Sequence, residues 1–114
     1  MTPADIDRTL SALADPTRRG VVDLLRRRPR PAGEIAAALE VTAPALSRHL
    51  RVLRRRGLIE EERDENDFRL RIYRLRPEPF AELQSWLRQV EAFWSEQLDS
   101  FQQQVERKKK GRRE

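Results

Sequence analysis

Apolar residues recur at helical spacing near the start of the chain and predict two short helices there. The first extends from about residue 3 to 14, and its apolar positions are Ile6, Leu10 and Leu13. The second extends from residue 16 to about residue 28, because Asp15-Pro16 places a favourable N-cap residue before a proline at the first helical position. Pro29 and Pro31 then end the helical pattern.

The middle of the chain predicts two helices joined by a tight turn. A short alanine-rich helix over 32–39 is followed after three residues by a helix over 42–56, which we call the cationic helix. Thr42 is the natural N-cap of the cationic helix, and Gly57 ends it. This arrangement is typical of a helix-turn-helix, in which the second helix reads DNA.

The cationic helix has two chemically different sides. Leu46, Leu50 and Leu53 share one side, because positions three and four apart lie on the same helix face. The opposite side carries Pro44, Ser47, Arg48, Arg51, Arg54 and Arg55. Five arginines lie between residues 48 and 56 with no acidic residue among them, so they cannot neutralise one another. An exposed face of this kind suits the DNA major groove, which admits an α-helix.

After Gly57 the pattern becomes that of extended strands. Residues 58–63 and 69–75 flank the polar turn cluster 64–67 and predict a β-hairpin. The alternation does not show which face of the second strand packs on the core. Arg69, Arg71 and Tyr73 share one face, and Leu70, Ile72 and Arg74 share the other. A hairpin directly after a helix-turn-helix is the wing of a winged-helix domain.

The longest predicted helix extends from Pro77 to about Val105. Its apolar stripe comprises Phe80, Leu83, Leu87, Val90, Trp94, Leu98, Phe101 and Val105, and is widened by Trp86 and Phe93. A helix of this length spans about 40 Å at 1.5 Å per residue, which is more than so small a domain can cover. We therefore expect part of the stripe to pack against another chain. The remaining residues 107–114 are charge-dense and are predicted to form a disordered basic tail, leaving one domain over residues 1–106.

Composition narrows the possible functions. The 114 residues suffice for one small domain, and the net charge of +5 favours an anionic partner. The absence of cysteine excludes disulfides, thiolate nucleophiles and cysteine-based metal sites. No segment has the length of a membrane span or the pattern of a signal peptide, so we expect a soluble cytoplasmic protein. No nucleophile and base pair or cofactor loop is visible, so we expect neither an enzyme nor a cofactor.

Several motifs together resemble the ArsR-type family of winged-helix repressors, named for arsenic resistance. They are LADPTRRGVVDLL from Leu13 to Leu25, GEIAAAL, VTAPALSRHLRVLRRRGLI from Val41 to Ile59, and RIYRL from Arg71 to Leu75. The resemblance implies a mainly α winged helix-turn-helix with a small β-hairpin and a long C-terminal dimerisation helix. It also implies a homodimeric repressor at an inverted-repeat operator, with base contacts from Ala43, Pro44, Ser47 and Arg48.

Two positions depart from the family pattern, and one branch fits best. A glycine is usual where Glu40 stands, and a polar residue is usual where Ala43 stands, which places direct readout mainly on Ser47 and Arg48. Metal-sensing relatives carry cysteines on the third helix, or histidines and acids on the last helix. Neither helix here contains cysteine or histidine, so we do not expect a metal switch of either kind. The C-terminal run PEPFAELQSWLRQVEAFWSEQLDSF further resembles a branch of the family without metal sites.

These observations define two predicted surfaces. The predicted DNA-binding residues are Thr42, Ala43, Pro44, Ser47, Arg48, Arg51, Arg54, Arg55, Arg63, Arg69 and Arg71. The predicted dimer residues are Ile6, Leu10, Leu83, Trp86, Leu87, Val90, Phe93, Trp94, Leu98 and Phe101. Acidic neighbours on the wing offer an alternative, in which they neutralise the wing arginines. His49, the only histidine, is interpreted as structural or phosphate-touching.

One alternative function belongs to another class of protein. In it the chain is a winged-helix protein-interaction module, whose cationic helix docks on an acidic protein surface. Its long helix then pairs with a different chain.

Overall fold

A computed structural model describes the fold of residues 3–113. Its elements in chain order are α1 (Pro3–Leu13), α2 (Pro16–Leu25), β1 (Arg30–Pro31), α3 (Ala32–Leu39), α4 (Ala43–Arg55), β2 (Ile59–Arg63), β3 (Arg71–Leu75) and α5 (Pro77–Arg113). The predicted helices and both strands of the predicted hairpin are present. Three features differ from the sequence predictions: the end of α2, the presence of β1, and the length of α5.

The corner between α1 and α2 is fixed by a helix cap. Asp15 has extended backbone angles, and its carboxylate accepts a hydrogen bond from the Arg18 backbone N–H at 3.0 Å. Pro16 occupies the first turn of α2, where no amide donor is needed. The predicted end of α2 near Arg28 is wrong, because the helix ends at Leu25. Pro29 disfavours the helical conformation of Arg28, which moves the helix end toward the N-terminus.

The turn between α3 and α4 adopts a left-handed conformation at a residue that is not glycine. Glu40 has φ 55° and ψ 44°. The N–H of Glu40 donates to the Ala37 carbonyl at 3.3 Å, and the N–H of Val41 donates to the Ala36 carbonyl at 3.1 Å. This is the Schellman arrangement that usually contains glycine. The chain therefore keeps the turn geometry, with Glu40 in a conformation that costs about 1 kcal/mol or more for a residue with a Cβ.

The ends of α4 follow the sequence prediction. The Thr42 hydroxyl accepts a hydrogen bond from the Ala45 N–H at 3.3 Å, so Thr42 is the N-cap of α4. At the other end Gly57 has φ 77°, and its N–H donates to the Arg54 carbonyl at 3.0 Å. The N–H of Leu58 donates to the Leu53 carbonyl at 3.0 Å, which completes a second Schellman motif.

The wing belongs to a three-stranded antiparallel sheet in the order β1-β3-β2. The strand β1 was not predicted, because two residues are too short to show an alternating pattern. Its residue Arg30 pairs with Tyr73 of β3, and on the other side Glu61 of β2 pairs with Tyr73. Tyr73 is buried, which resolves the ambiguity of the alternation and places the Tyr73 face of β3 toward the core.

The apolar core lies within the winged-helix part of the chain. Its buried residues are Ala12, Val21, Leu25, Ile35, Leu46, Leu50, Leu53, Leu58, Ile59 and Tyr73. Gly20 of α2 allows close approach to α3, since a Cβ at this position would lie 2.9 Å from the Leu39 Cδ2 atom. The helix α4 therefore packs on the core through the apolar side that the sequence predicts.

The chain divides into two units, one up to Glu82 and one from Leu83 onward. This division does not coincide with the boundary predicted after residue 106. The structure continues α5 as a helix through Arg113, beyond the predicted end near Val105 and into the segment predicted to be disordered. Gln, Glu, Lys and Arg favour helix, and cations complement the dipole at a helix C-terminus, which accounts for the difference.

Candidate nucleic-acid interface

The side of α4 that faces away from the core is exposed along its whole length. The exposed residues of this side are Ala43, Pro44, Ser47, Arg48, Arg51, Arg54 and Arg55. Leu46, Leu50 and Leu53 are buried on the opposite side. The prediction of a two-sided helix is confirmed, so the residues predicted to touch DNA share one accessible surface.

Most arginines of this surface keep their charge available. Among the residues that the structure describes, Arg48, Arg51 and Arg55 have no hydrogen-bond or ion-pair partner. Arg54 differs, because its Nη1 atom lies 2.8 Å from Glu61 Oε2. An open cleft of about 590 Å³ separates α4 from β2 here, and Arg51, Arg54 and Arg55 lie along it.

A polar network positions α4 against the corner between α1 and α2. Arg18 donates to the Ala12 carbonyl through Nε at 2.7 Å, and its Nη1 lies 3.3 Å from His49 Nδ1. A guanidinium can only donate, so His49 Nδ1 is the acceptor. The Asp15 carboxylate lies 3.8 Å from the same nitrogen. The pKa of Asp15 is lowered, chiefly by the hydrogen bond from the Arg18 N–H and also by His49.

This network agrees with the structural reading of His49. The side chain is only partly exposed and joins α4 to the beginning of α2. No sequence pattern signals the contact, since Arg18 and His49 are 31 residues apart.

Two of the three wing arginines predicted to bind DNA lie beside acidic groups. Arg71 Nη1 lies 2.8 Å from Glu61 Oε1, and Arg69 Nε lies 3.3 Å from Asp67 Oδ1. These pairs match the alternative in which acidic neighbours neutralise the wing. Arg63 is exposed and has no partner among the residues described.

Glu61 was not singled out by sequence reasoning, although a signal for it exists. It alternates with Ile59 on β2, so both side chains lie on the same face of the strand. Ile59 is buried, and the Glu61 side chain is only 12 % exposed. Its Oε2 atom also accepts a hydrogen bond from the Tyr73 hydroxyl at 3.2 Å. Burial raises the pKa of Tyr73, and the Glu61 carboxylate adds to this effect.

The residues predicted to form the dimer differ in exposure. On α5, Leu83, Trp86 and Val90 are half-buried. The exposed residues of the same helix are Leu87, Phe93, Trp94, Leu98 and Phe101. Phe93 and Trp94 make an edge-to-face contact with ring centroids 5.7 Å apart. On α1, Ile6 is half-buried and Leu10 is exposed. Their assignment to a dimer interface stays a prediction.

Over residues 3–113 no helix combines the length and apolarity needed to cross a bilayer. In the same part of the chain, no group of three or more His, Cys, Asp or Glu side chains is arranged to hold a metal ion.

The fold and the exposed cationic helix together define a winged helix-turn-helix of the DNA-binding class. The family described as "Helix-turn-helix domain" matches residues 13–62. The HTH-type transcriptional regulator Rv2034 of Mycobacterium tuberculosis is 36% identical over 100 residues, which is 88% of this chain and 88% of the relative.

Solved structures point to the same family. The ArsR family transcriptional regulator RHA00566 is similar with a TM-score of 0.72 and 29% identity, over 83% of this chain and 95% of that one. The homodimeric winged helix-turn-helix DNA-binding domain of Mb0332 from Mycobacterium bovis is similar with a TM-score of 0.62 and 28% identity, over 78% of this chain and 80% of that one.

The chain belongs to the ArsR family of winged-helix transcriptional regulators, and the sequence prediction of family and fold class is confirmed. Its function is that of a DNA-binding transcriptional regulator. The alternative of a protein-interaction module is not favoured.

Proposed function

We propose that the chain is a homodimeric repressor that binds an inverted-repeat operator through α4 of each protomer. The two copies of α4 enter successive major grooves, which lie about 34 Å apart on one face of B-DNA. Repression is the mode of regulation that the family resemblance implies.

The observation that carries this proposal is the free cationic surface of α4. Arg48, Arg51 and Arg55 are exposed and lack acidic partners among the residues described. A face of a helix that concentrates uncompensated arginines is attracted to phosphates, and the major groove admits a helix of this diameter. The N-terminal turn presents Thr42, Ala43 and Pro44, whose small side chains allow the backbone to approach the base edges.

We assign different tasks to the residues of this surface. Ser47 and Arg48 read base edges, because they lie in the N-terminal half of α4. In helix-turn-helix complexes this half of the second helix contacts the bases of the major groove. Arg51 and Arg55 lie further along the helix and bind phosphates. On the wing, Arg63 has no acidic partner among the residues described, and it binds the neighbouring backbone or minor groove.

Dimerisation is supported by α5 and by a relative. Five large apolar residues of α5 are at least half exposed in the single chain, and water contact of this extent is costly. The similar domain of Mb0332 is a homodimer. Pairing α5 with a second copy covers these side chains and presents two copies of α4 to one duplex.

The experiment measures binding of the purified protein to its own upstream DNA by fluorescence anisotropy between 50 and 200 mM salt. Neutralising six to ten phosphates lowers affinity by about 10³ to 10⁵ over this range. Arg48→Ala is expected to cost about 1 to 3 kcal/mol at the operator and to relax base preference at one position. Arg55→Ala is expected to weaken every sequence alike and to reduce the salt slope by about 0.9.

Arg88→Ala provides the matched control, because it removes the same charge from α5 at a position off the apolar stripe. It is expected to leave both base preference and salt slope close to those of the parent protein. Equal effects of Arg48→Ala and Arg55→Ala on base preference would contradict the division of tasks. The absence of salt-sensitive binding to any upstream palindrome would contradict the proposed function.

A further inference from the structure

Glu61 joins two arginines from different elements in one ion cluster. Its Oε2 atom lies 2.8 Å from Arg54 Nη1 of α4, and its Oε1 atom lies 2.8 Å from Arg71 Nη1 of β3. The Tyr73 hydroxyl donates a hydrogen bond to the same carboxylate. We call these four residues the Glu61 cluster. It lies where α4 meets the wing, and Arg54 and Glu61 line the cleft between α4 and β2.

The cluster is asymmetric in its exposure to water. Glu61 is 12 % exposed, whereas Arg54 is 50 % exposed and Arg71 is 58 % exposed. A phosphate that drew either guanidinium away would leave a poorly hydrated carboxylate with one cation fewer beside it, which is unfavourable. An exposed ion pair contributes little, but this carboxylate is mostly buried and has two cations and one hydroxyl donor around it. The competition between Glu61 and a phosphate therefore favours Glu61.

We propose that Glu61 takes the place of a DNA phosphate and withholds Arg54 and Arg71 from the nucleic acid. The carboxylate has negative charge and two acceptor oxygens, as a phosphate has, and each oxygen faces one of the two arginines. An arginine held in this way neutralises no phosphate, so no counterion leaves the DNA on its account. Glu61 thus lowers the affinity of the protein for DNA of any sequence, because sequence-independent binding is electrostatic.

This inference rests on the proposed function, in which α4 and the wing face DNA. The inference goes beyond that function, because it states how many arginines of α4 and the wing the protein itself neutralises. Arg48, Arg51 and Arg55 remain available, and the base readout assigned to Ser47 and Arg48 does not depend on Glu61.

The test compares Glu61→Gln with Glu62→Gln on a duplex of random sequence. Both variants remove one negative charge from β2, but Glu62 pairs with Arg74, whose Nη2 atom lies 3.0 Å from Glu62 Oε2. Glutamine still accepts a hydrogen bond from the Tyr73 hydroxyl. The plot of log affinity against log salt is expected to steepen by about 0.9 for each arginine released, or about 1.8 for both, in Glu61→Gln. Glu62→Gln is expected to change this slope by much less.

Second substitutions distinguish released arginines from a general charge effect. In the parent protein, Arg71→Gln is expected to leave the salt slope nearly unchanged. In the Glu61→Gln background, the same substitution is expected to reduce the slope by about 0.9. A role of Glu61 in folding alone moves neither slope.

Several outcomes overturn the inference. It is wrong if Glu61→Gln and Glu62→Gln have the same slope, or if Glu61→Gln binds random DNA more weakly than the parent. If Glu61→Gln does not fold, Arg54→Gln and Arg71→Gln decide instead, because a loss of about 0.9 in slope from either one shows that it reaches a phosphate in the parent protein. Operator binding by the parent tests the proposed function separately.

Discussion

The helices α4 and α5 carry apolar stripes with the same spacing and opposite exposure. Leu46, Leu50 and Leu53 on α4 are 4 and 3 residues apart and at most 3% exposed. Trp94, Leu98 and Phe101 on α5 are also 4 and 3 residues apart, but they are 57% to 62% exposed. Periodicity thus defines an apolar helix face, whereas the partner that covers the face depends on the remainder of the fold or on another chain.

The same substitution in the two stripes provides the strongest test of this comparison. Leu53→Ala removes a side chain that is 0% exposed, so we expect a loss of about 2 to 5 kcal/mol in the free energy of unfolding. Leu98→Ala changes an exposed side chain and costs less than about 0.5 kcal/mol in the monomer. Urea unfolding at a low and a high protein concentration measures both.

The two losses are expected to depend differently on concentration. The effect of Leu53→Ala stays similar at both concentrations, because its contacts lie within one chain. The effect of Leu98→Ala grows with concentration, since dimerisation stabilises the folded chain by mass action. A concentration-independent loss from Leu98→Ala would show that the α5 stripe is covered within its own chain.

The dimer provides the second test. Truncating a tryptophan at the centre of an interface costs about 2 kcal/mol or more, and a homodimer contains two copies of each residue. Trp94→Ala is therefore expected to raise the dissociation constant of the dimer about a thousandfold, at 1.4 kcal/mol for each tenfold change. Sedimentation equilibrium measures the constant directly.

Gln103→Ala is the control for Trp94→Ala, because Gln103 is exposed on the side of α5 opposite the apolar stripe. It is expected to leave the dissociation constant within about a factor of two, as surface substitutions usually have small effects. A dimer that Trp94→Ala leaves intact would assign its interface to other residues. Operator affinity then has to be reconsidered, since the spacing of the two copies of α4 depends on the dimer.

Local signals were sufficient to predict the helix-turn-helix. The boundaries of α3 agree with the sequence, and Thr42 caps α4 as its position before the helix indicates. These features depend on interactions between residues within one turn of each other. The hairpin was predictable for a similar reason, because a polar turn separates two strands of extended pattern.

Other features depend on contacts between distant residues and have weak or no local signals. The strand β1 exists because Arg30 and Pro31 lie beside β3, and two residues carry no period of their own. The pairing of Arg54 with Glu61 depends on how α4 meets the wing. The arginines of the sequence correctly predicted a positively charged surface on α4. How many of these arginines lack an acidic partner could be seen only in the structure.

Glu40 permits a third and smaller test, which concerns the turn between α3 and α4. Its φ of 55° lies in the left-handed region that glycine adopts without a steric cost. Removing the Cβ relieves about 1 to 2 kcal/mol of strain, and the greater entropy of unfolded glycine offsets roughly half of it. Glu40→Gly is therefore expected to raise the free energy of unfolding by about 0.5 to 1 kcal/mol.

The control for Glu40→Gly places glycine where the backbone is right-handed. Ala38 is exposed within α3, so Ala38→Gly is expected to lower the free energy of unfolding by about 1 kcal/mol. Both changes act within one chain and should be independent of protein concentration, in contrast to Leu98→Ala. If Glu40→Gly destabilises the protein, the Glu40 side chain contributes more to the turn than its backbone conformation costs. The α3–α4 turn would then be maintained by side-chain contacts in place of the glycine that is usual in the family.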